Sequence, residues 1–137
     1  MTPFYPVLTV GMLALGAGAE TARAQPDVTA RPVAEIVTFR LADGVTEAQF
    51  LAAAALSHGF LQRQPGFIRR RMSRADNDQW TDYVEWRGMG DAEAAGAALM
   101  ETPAMEPFLQ ALDPASVRLR HETLVWALDG DAETPDQ

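Results

Sequence analysis

The chain has 137 residues, enough for one ordinary domain, and a formal net charge of −8. A surface this acidic has no electrostatic attraction for nucleic acid or anionic lipid, which sets both aside as partners. Cysteine is absent, and that excludes disulfides, thiolate catalysis, zinc–sulfur sites and a lipid-modified cysteine anchor.

Residues 7–19 (VLTVGMLALGAGA) form an apolar run as long as a secretory signal core and too short to span a bilayer. Ala22-Arg23-Ala24 follows as a small-x-small cleavage pattern. The expectation is a signal peptide over residues 1–24 and a periplasmic or secreted mature protein beginning at Gln25. Residues 1–6 carry no Lys or Arg, so a buried N-terminal helix or an uncleaved anchor is the competing reading. Cleavage removes one acid, Glu20, and one base, Arg23, and leaves the net charge at −8.

Residues 25–32 are a polar, proline-bounded lead-in. Residues 33–41 alternate Val37, Phe39 and Leu41 and read as a strand that ends at the turn Asp43-Gly44. Thr46 and Gln49 then make a capping box, flanked by Val45 and Phe50 at hydrophobic-staple positions. A helix over residues 47–62 follows, stopped by Pro65-Gly66. Residues 67–74 and 79–87 read as a hairpin around a polar turn at Asp76, Asn77 and Asp78. Asp91 is expected to cap an alanine-rich helix that runs to about Met100. Pro103 and Pro107 permit only short helical turns before Asp113-Pro114. Residues 117–128 read as a last, long strand, and residues 129–137 as a disordered acidic tail.

The order β-α-β-β-α-β over residues 33–128 predicts an α+β, ferredoxin-like domain: a four-stranded antiparallel sheet with both helices on one face. The uncovered face would carry Ile36, Thr38, Tyr83, Leu124 and Trp126 among arginines and glutamates. That mixture suits a homodimer packed sheet on sheet, with arginine and glutamate rows pairing across it.

Several short runs carry a resemblance: VAEIVTFRL at 33–41, DGVTEAQF at 43–50, QPGF at 64–67, WTDYVEW at 80–86 and GDAEAAGAA at 90–98. Together they resemble the dimeric α+β barrel superfamily, and within it the antibiotic biosynthesis monooxygenase-like (ABM) group. The resemblance implies a homodimeric barrel and, in its oxygenase members, oxidation without a cofactor. Haem-degrading members resemble one another in a second-helix histidine; residues 91–112 contain none, and the single asparagine, Asn77, lies in the hairpin turn.

Strand alternation places Glu35 with Val37 and Phe39 on the helix-covered face. It places Asp82 with Trp80, Val84 and Trp86, and His121 with Val117 and Leu119. Because the last, first and third strands should be neighbours, Glu35, Asp82 and His121 can share one apolar face. A carboxylate and an imidazole there are the ingredients of a general base for a phenol or an activated C–H. His58 lies on the first helix among Leu51, Ala54 and Leu61 and is expected to reach the same cavity.

The catalytic candidates are therefore His121, His58 and Asp82, and the substrate-binding candidates Glu35, Phe39, Trp80 and Trp86. A structural reading stands beside each: a His–carboxylate pair that only satisfies its own hydrogen bonds, a packing histidine, and tryptophans that are core. No paired ligand spacing points to a metal, and no cofactor is expected. Arg69, Arg70, Arg71 and Arg74 read as charge protecting an edge strand. The reaction to expect is cofactor-independent monooxygenation of a small aromatic molecule. The alternative is a non-catalytic periplasmic small-ligand-binding or stress-associated protein that uses the same cavity.

Export is checked by the intact mass and N-terminal sequence of the protein recovered from a secreting host. Gln25 is the expected first residue, and a chain that retains Met1 contradicts cleavage.

Overall fold

The computed structural model describes residues 31–130. The expected signal peptide, most of the lead-in and the end of the acidic tail lie outside these residues. The elements are β1 (Val33–Phe39), α1 (Glu47–Gln62), β2 (Phe67–Arg74), β3 (Trp80–Trp86), α2 (Met89–Met100), a 3-10 turn (Pro103–Met105), α3 (Glu106–Gln110) and β4 (Arg118–Thr123). Their order is the ferredoxin-like βαββαβ. The four strands form one antiparallel sheet in the order β2-β3-β1-β4.

Local chemistry accounts for the element ends. The capping box forms as expected: the Gln49 amide donates to Thr46 Oγ1 at 3.2 Å, and the Thr46 amide to Gln49 Oε1 at 2.9 Å. Each bond satisfies an amide that a helix start leaves orphaned. The hairpin turn closes with the Ala75 amide on the Gln79 carbonyl at 2.8 Å, and Asp78 takes the left-handed position at φ 64°. Gly66 must be glycine. Its φ is +80°, and a Cβ there would stand 2.1 Å from Asp91 Oδ2.

Three boundaries differ from expectation. α2 begins at Met89 with Gly88 as its N-cap, so Asp91 sits in the first turn instead of capping, where its charge favours the helix dipole. β1 ends at Phe39 because the chain switches partners: Leu41 bridges to Leu112, and the Arg40 carbonyl accepts from the Asp113 amide at 2.9 Å. β4 stops at Thr123, opposite Val33, where β1 begins. Beyond it one bond remains, the Leu124 amide to the Pro32 carbonyl at 2.8 Å, and residues 124–130 carry no regular structure.

The core lies between sheet and helices. Phe39, Phe50, Trp80 and Phe108 pack around one another, with Phe50 centred 4.8 Å from the Trp80 ring and 5.5 Å from that of Phe39. α2 contributes buried Ala92 and Ala95, small enough for close approach to the sheet. On the opposite face the arginine and glutamate rows pair within the chain: Arg69 with Glu85 at 3.1 Å and Arg120 with Glu122 at 2.7 Å. Tyr83 donates to Glu85 at 3.0 Å; burial, reinforced by that carboxylate, pushes its phenol up from the ordinary value. Val125, Trp126 and Leu128, just past β4, are all more than three-quarters exposed.

Candidate functional site

The sheet register brings polar residues into one line. Arg70 on β2 faces Val84 on β3, Val84 faces Glu35 on β1, and Glu35 faces His121 on β4. The adjacent row is Met72, Asp82, Val37 and Leu119. Both rows lie on the helix-covered side, beneath a cavity of about 320 Å³, at the low end of the roughly 300–1,000 Å³ typical of ligand pockets. Glu35, Val37, Phe39, Arg70, Asp82 and Val84 form its floor, with Ser57 of α1, Gly96 and Met100 of α2 and Phe108 of α3 in the opposing walls. Gly96 lies inside a helix, where glycine costs roughly 0.5–1 kcal/mol relative to alanine, and a Cβ on it would meet nothing within 4 Å. Gly96 is itself exposed, so it sits where the wall of the cavity meets open space.

Two ion pairs organise the floor. Arg70 holds Asp82 in a bidentate contact, Nε to Oδ1 at 2.9 Å and Nη2 to Oδ2 at 2.6 Å, with about nine-tenths of each side chain buried. Its Nη1 donates to the Ser57 hydroxyl, which itself donates to the Ala54 carbonyl. The Phe108 ring lies 5.2 Å from the guanidinium carbon, at cation–π distance. At the β4 side, His121 Nε2 and Glu35 Oε2 are 2.9 Å apart, with side chains 20% and 16% exposed.

Glu35, Asp82 and His121 do share one face, as the alternation requires, but they do not form one cluster. Asp82 is engaged by Arg70 through both oxygens, so it is a partner for the guanidinium and not a free base. His58 does not line the cavity. It is exposed and borders a separate, more open groove between α1 and β2, beside Leu51, Leu61 and Arg69. The buried stripe of α1 is Phe50, Ala54, Ser57 and Leu61, and His58 is turned about 100° past Ser57. Phe39 borders the cavity, whereas Trp80 and Trp86 are buried core that does not line it. Trp86 Nε1 is buried without a hydrogen-bond partner among the described residues.

Arg70 and Ser57 are the site residues that sequence reasoning missed. Strict alternation from Phe67 sends Arg70 to the outer face. An irregularity at Ile68 adds a residue, since Phe67 pairs with Trp86 but Arg69 with Glu85. The bulge returns Arg70 to the inner face. Among the described residues, no group of three or more His, Asp or Glu is placed to hold a metal ion.

A buried pair stripped of one partner is destabilised by roughly 3–5 kcal/mol, whereas exchange of both for apolar residues is near neutral. Asp82→Ala is therefore expected to lower the urea midpoint strongly, and Arg70→Met with Asp82→Leu to restore it. Equal stability of D82A and wild type would contradict the pairing.

No protein-family model matches the chain, and no curated protein matches it by sequence. Solved structures match clearly in fold. A Bordetella bronchiseptica protein provisionally named an antibiotic biosynthesis monooxygenase is 19% identical, with a TM-score of 0.59 over 70% of this chain and 99% of that one. SnoaB, a cofactor-independent oxygenase from Streptomyces nogalater, is 21% identical, with a TM-score of 0.52 over 75% and 100%. A dimeric ferredoxin-like protein of unknown function from Thermobifida fusca is 16% identical, with a TM-score of 0.56 over 70% and 93%. Several of the structural neighbours of this chain carry the antibiotic biosynthesis monooxygenase name, and the chain has the ferredoxin-like α+β fold.

Proposed function

We propose that this chain is an exported, homodimeric ABM-like protein that binds a small, largely apolar aromatic molecule in the cavity and oxidises it with dioxygen, without a cofactor. The observation that carries the reading is the Glu35–His121 pair, 2.9 Å apart, with Glu35 in the floor of a cavity whose lining is mostly apolar. The carboxylate meets the substrate and the imidazole stands beside it, so the pair takes up one proton, shared across that contact. The proton comes from an activated C–H or a phenolic O–H of the substrate. The resulting anion reduces dioxygen, and loss of water from the hydroperoxide completes the balance R₂CH₂ + O₂ → R₂C=O + H₂O. Asp82 has a positioning part, holding Arg70.

Homodimer formation has two supports. The Thermobifida fusca neighbour is dimeric, and Val125, Trp126 and Leu128 project from this chain without cover. A second reading, binding without turnover, is favoured by the pairing of every charged group on the cavity floor.

An oxygen electrode separates the two readings, with 2-tetralone as an enolisable aromatic ketone. Wild type is expected to consume one dioxygen per ketone with no added metal or flavin. Glu35→Gln and His121→Phe should be slower by roughly 10²-fold or more. Unchanged rates in both variants, or ketone binding with no oxygen uptake, would sink the oxygenase reading. For the assembly, light scattering is expected to give a dimer mass for wild type and a monomer for Trp126→Asp; a monomeric wild type contradicts it.

A further inference from the structure

Arg70 has more hydrogen-bonding capacity than the fold uses. A guanidinium carries five N–H donors in a rigid fork. Two meet Asp82 and one meets Ser57. The second hydrogens on Nη1 and Nη2 find no acceptor among the described residues, although the side chain is only 8% exposed. Buried donors are ordinarily satisfied, so a pair left over beside a cavity asks for an acceptor inside it.

The direction of that pair follows from its neighbours. Arg70 borders both the cavity and the His58 groove. Asp82, Ser57 and Phe108, which hold the guanidinium end, line the cavity and do not border the groove. The guanidinium is therefore held, on every contact it makes, by residues that line the cavity. The bidentate contact and the Phe108 ring fix the plane, so the free donors need no ordering when a ligand arrives.

Charge narrows the acceptor. Asp82 already compensates Arg70, and Glu35 lies on the same floor. A ligand carboxylate would face two carboxylates, whereas a neutral carbonyl oxygen takes the N–H bonds without that repulsion. Val84 alone separates Arg70 from Glu35 across the sheet, a span of roughly 10 Å between backbones at two strand spacings. The two side chains thus flank the space above Val84 from opposite sides.

The geometry points to Arg70 as the specificity-determining residue of the cavity, selecting apolar ring molecules that carry a neutral carbonyl oxygen. The inference rests on the reading that the cavity binds a small ring molecule, and it names that molecule's class. It also gives the proton transfer a direction. As Glu35 takes a proton from the carbon next to the carbonyl, the C–H electron pair becomes the C=C bond, the carbonyl π pair moves onto oxygen, and the enolate charge forms at the free Arg70 donors. Hydrogen bonds aimed at a developing charge assist the step more than they assist binding.

The test compares three probes with one ring skeleton: 2-tetralone, tetralin, which lacks the oxygen, and 1,2,3,4-tetrahydro-2-naphthoate, which carries a full charge. Calorimetric titration of wild type should show 2-tetralone bound roughly tenfold tighter than tetralin, as one charged hydrogen bond provides, and the carboxylate weakest. The double variant R70M/D82L, which leaves no buried charge unpaired, should bind 2-tetralone and tetralin alike. Infrared spectroscopy of the wild-type complex needs no variant: the bound carbonyl stretch should lie below its frequency in cyclohexane. Equal affinity of wild type for ketone and hydrocarbon, an unshifted stretch, a preference that survives in R70M/D82L, or tightest binding of the carboxylate each overturns the inference. In those four cases the cavity remains a binding site. Failure of wild type to bind any of the three removes the proposed function itself, and the inference with it.

Discussion

The bidentate contact between Arg70 and Asp82 ties together parts of the molecule that are remote in sequence. It joins the edge strand β2 to β3 beneath the helices. Through Ser57 it reaches α1, and through the Phe108 ring it reaches α3. Ions cost several kcal/mol each to bury and remain buried only where geometry and extra hydrogen bonds compensate. Here the compensation is specific enough to fix where the helices sit over the sheet. It also explains why the space above Val84 and Val37 is not closed by hydrocarbon: a collapsed core would press apolar side chains against a guanidinium that still has hydrogens to donate.

The cavity has a floor that sets Arg70, Asp82 and Glu35 among valines, beneath a largely apolar roof from α1, α2 and α3. Gly96 and Met100 border it from α2. Met100 and Leu119 border the same space and are largely exposed, so the opening lies between the end of α2 and β4. His121 stands on that strand next to Glu35, so the Glu35–His121 pair lies toward this opening, with Arg70 across Val84 from it. A molecule lodged between them would rest on Val84 and Val37, with a different polar partner at each end.

Much of the fold was legible in the chain because its signals are local. Thr46 and Gln49 announce a helix start by reciprocal hydrogen bonds, and Val37 and Phe39 alternate over a one-sided sheet. The polar turn between the two strands of the hairpin leaves little doubt about their pairing. The meeting of Glu35 and His121 was legible too, since it needs only a correct register between two regular strands. Arg70 was not. One extra residue at Ile68 inverts the alternation, and nothing in the run FIRRRMSR marks where a bulge falls. Ser57 was hidden for a related reason: a serine in the middle of the buried stripe breaks the apolar pattern, and attention shifts to His58, one position along and turned away. Trp80 and Trp86 looked like walls for a ligand because aromatic residues suit both a pocket and a core. The end of β4 depended on where its neighbour begins, which no residue of β4 encodes.

The central claim is that the space between the helices and the Arg70–Val84–Glu35–His121 row receives a ring molecule in one orientation. A crystal structure of the protein grown with 2-tetralone tests it most directly. The account predicts the ring against Val84 and Val37, its carbonyl oxygen within hydrogen-bonding distance of Arg70 Nη1 or Nη2, and the adjacent carbon turned toward Glu35. A ring found in the groove beside His58, or a cavity filled by its own side chains with no ligand inside, would contradict it.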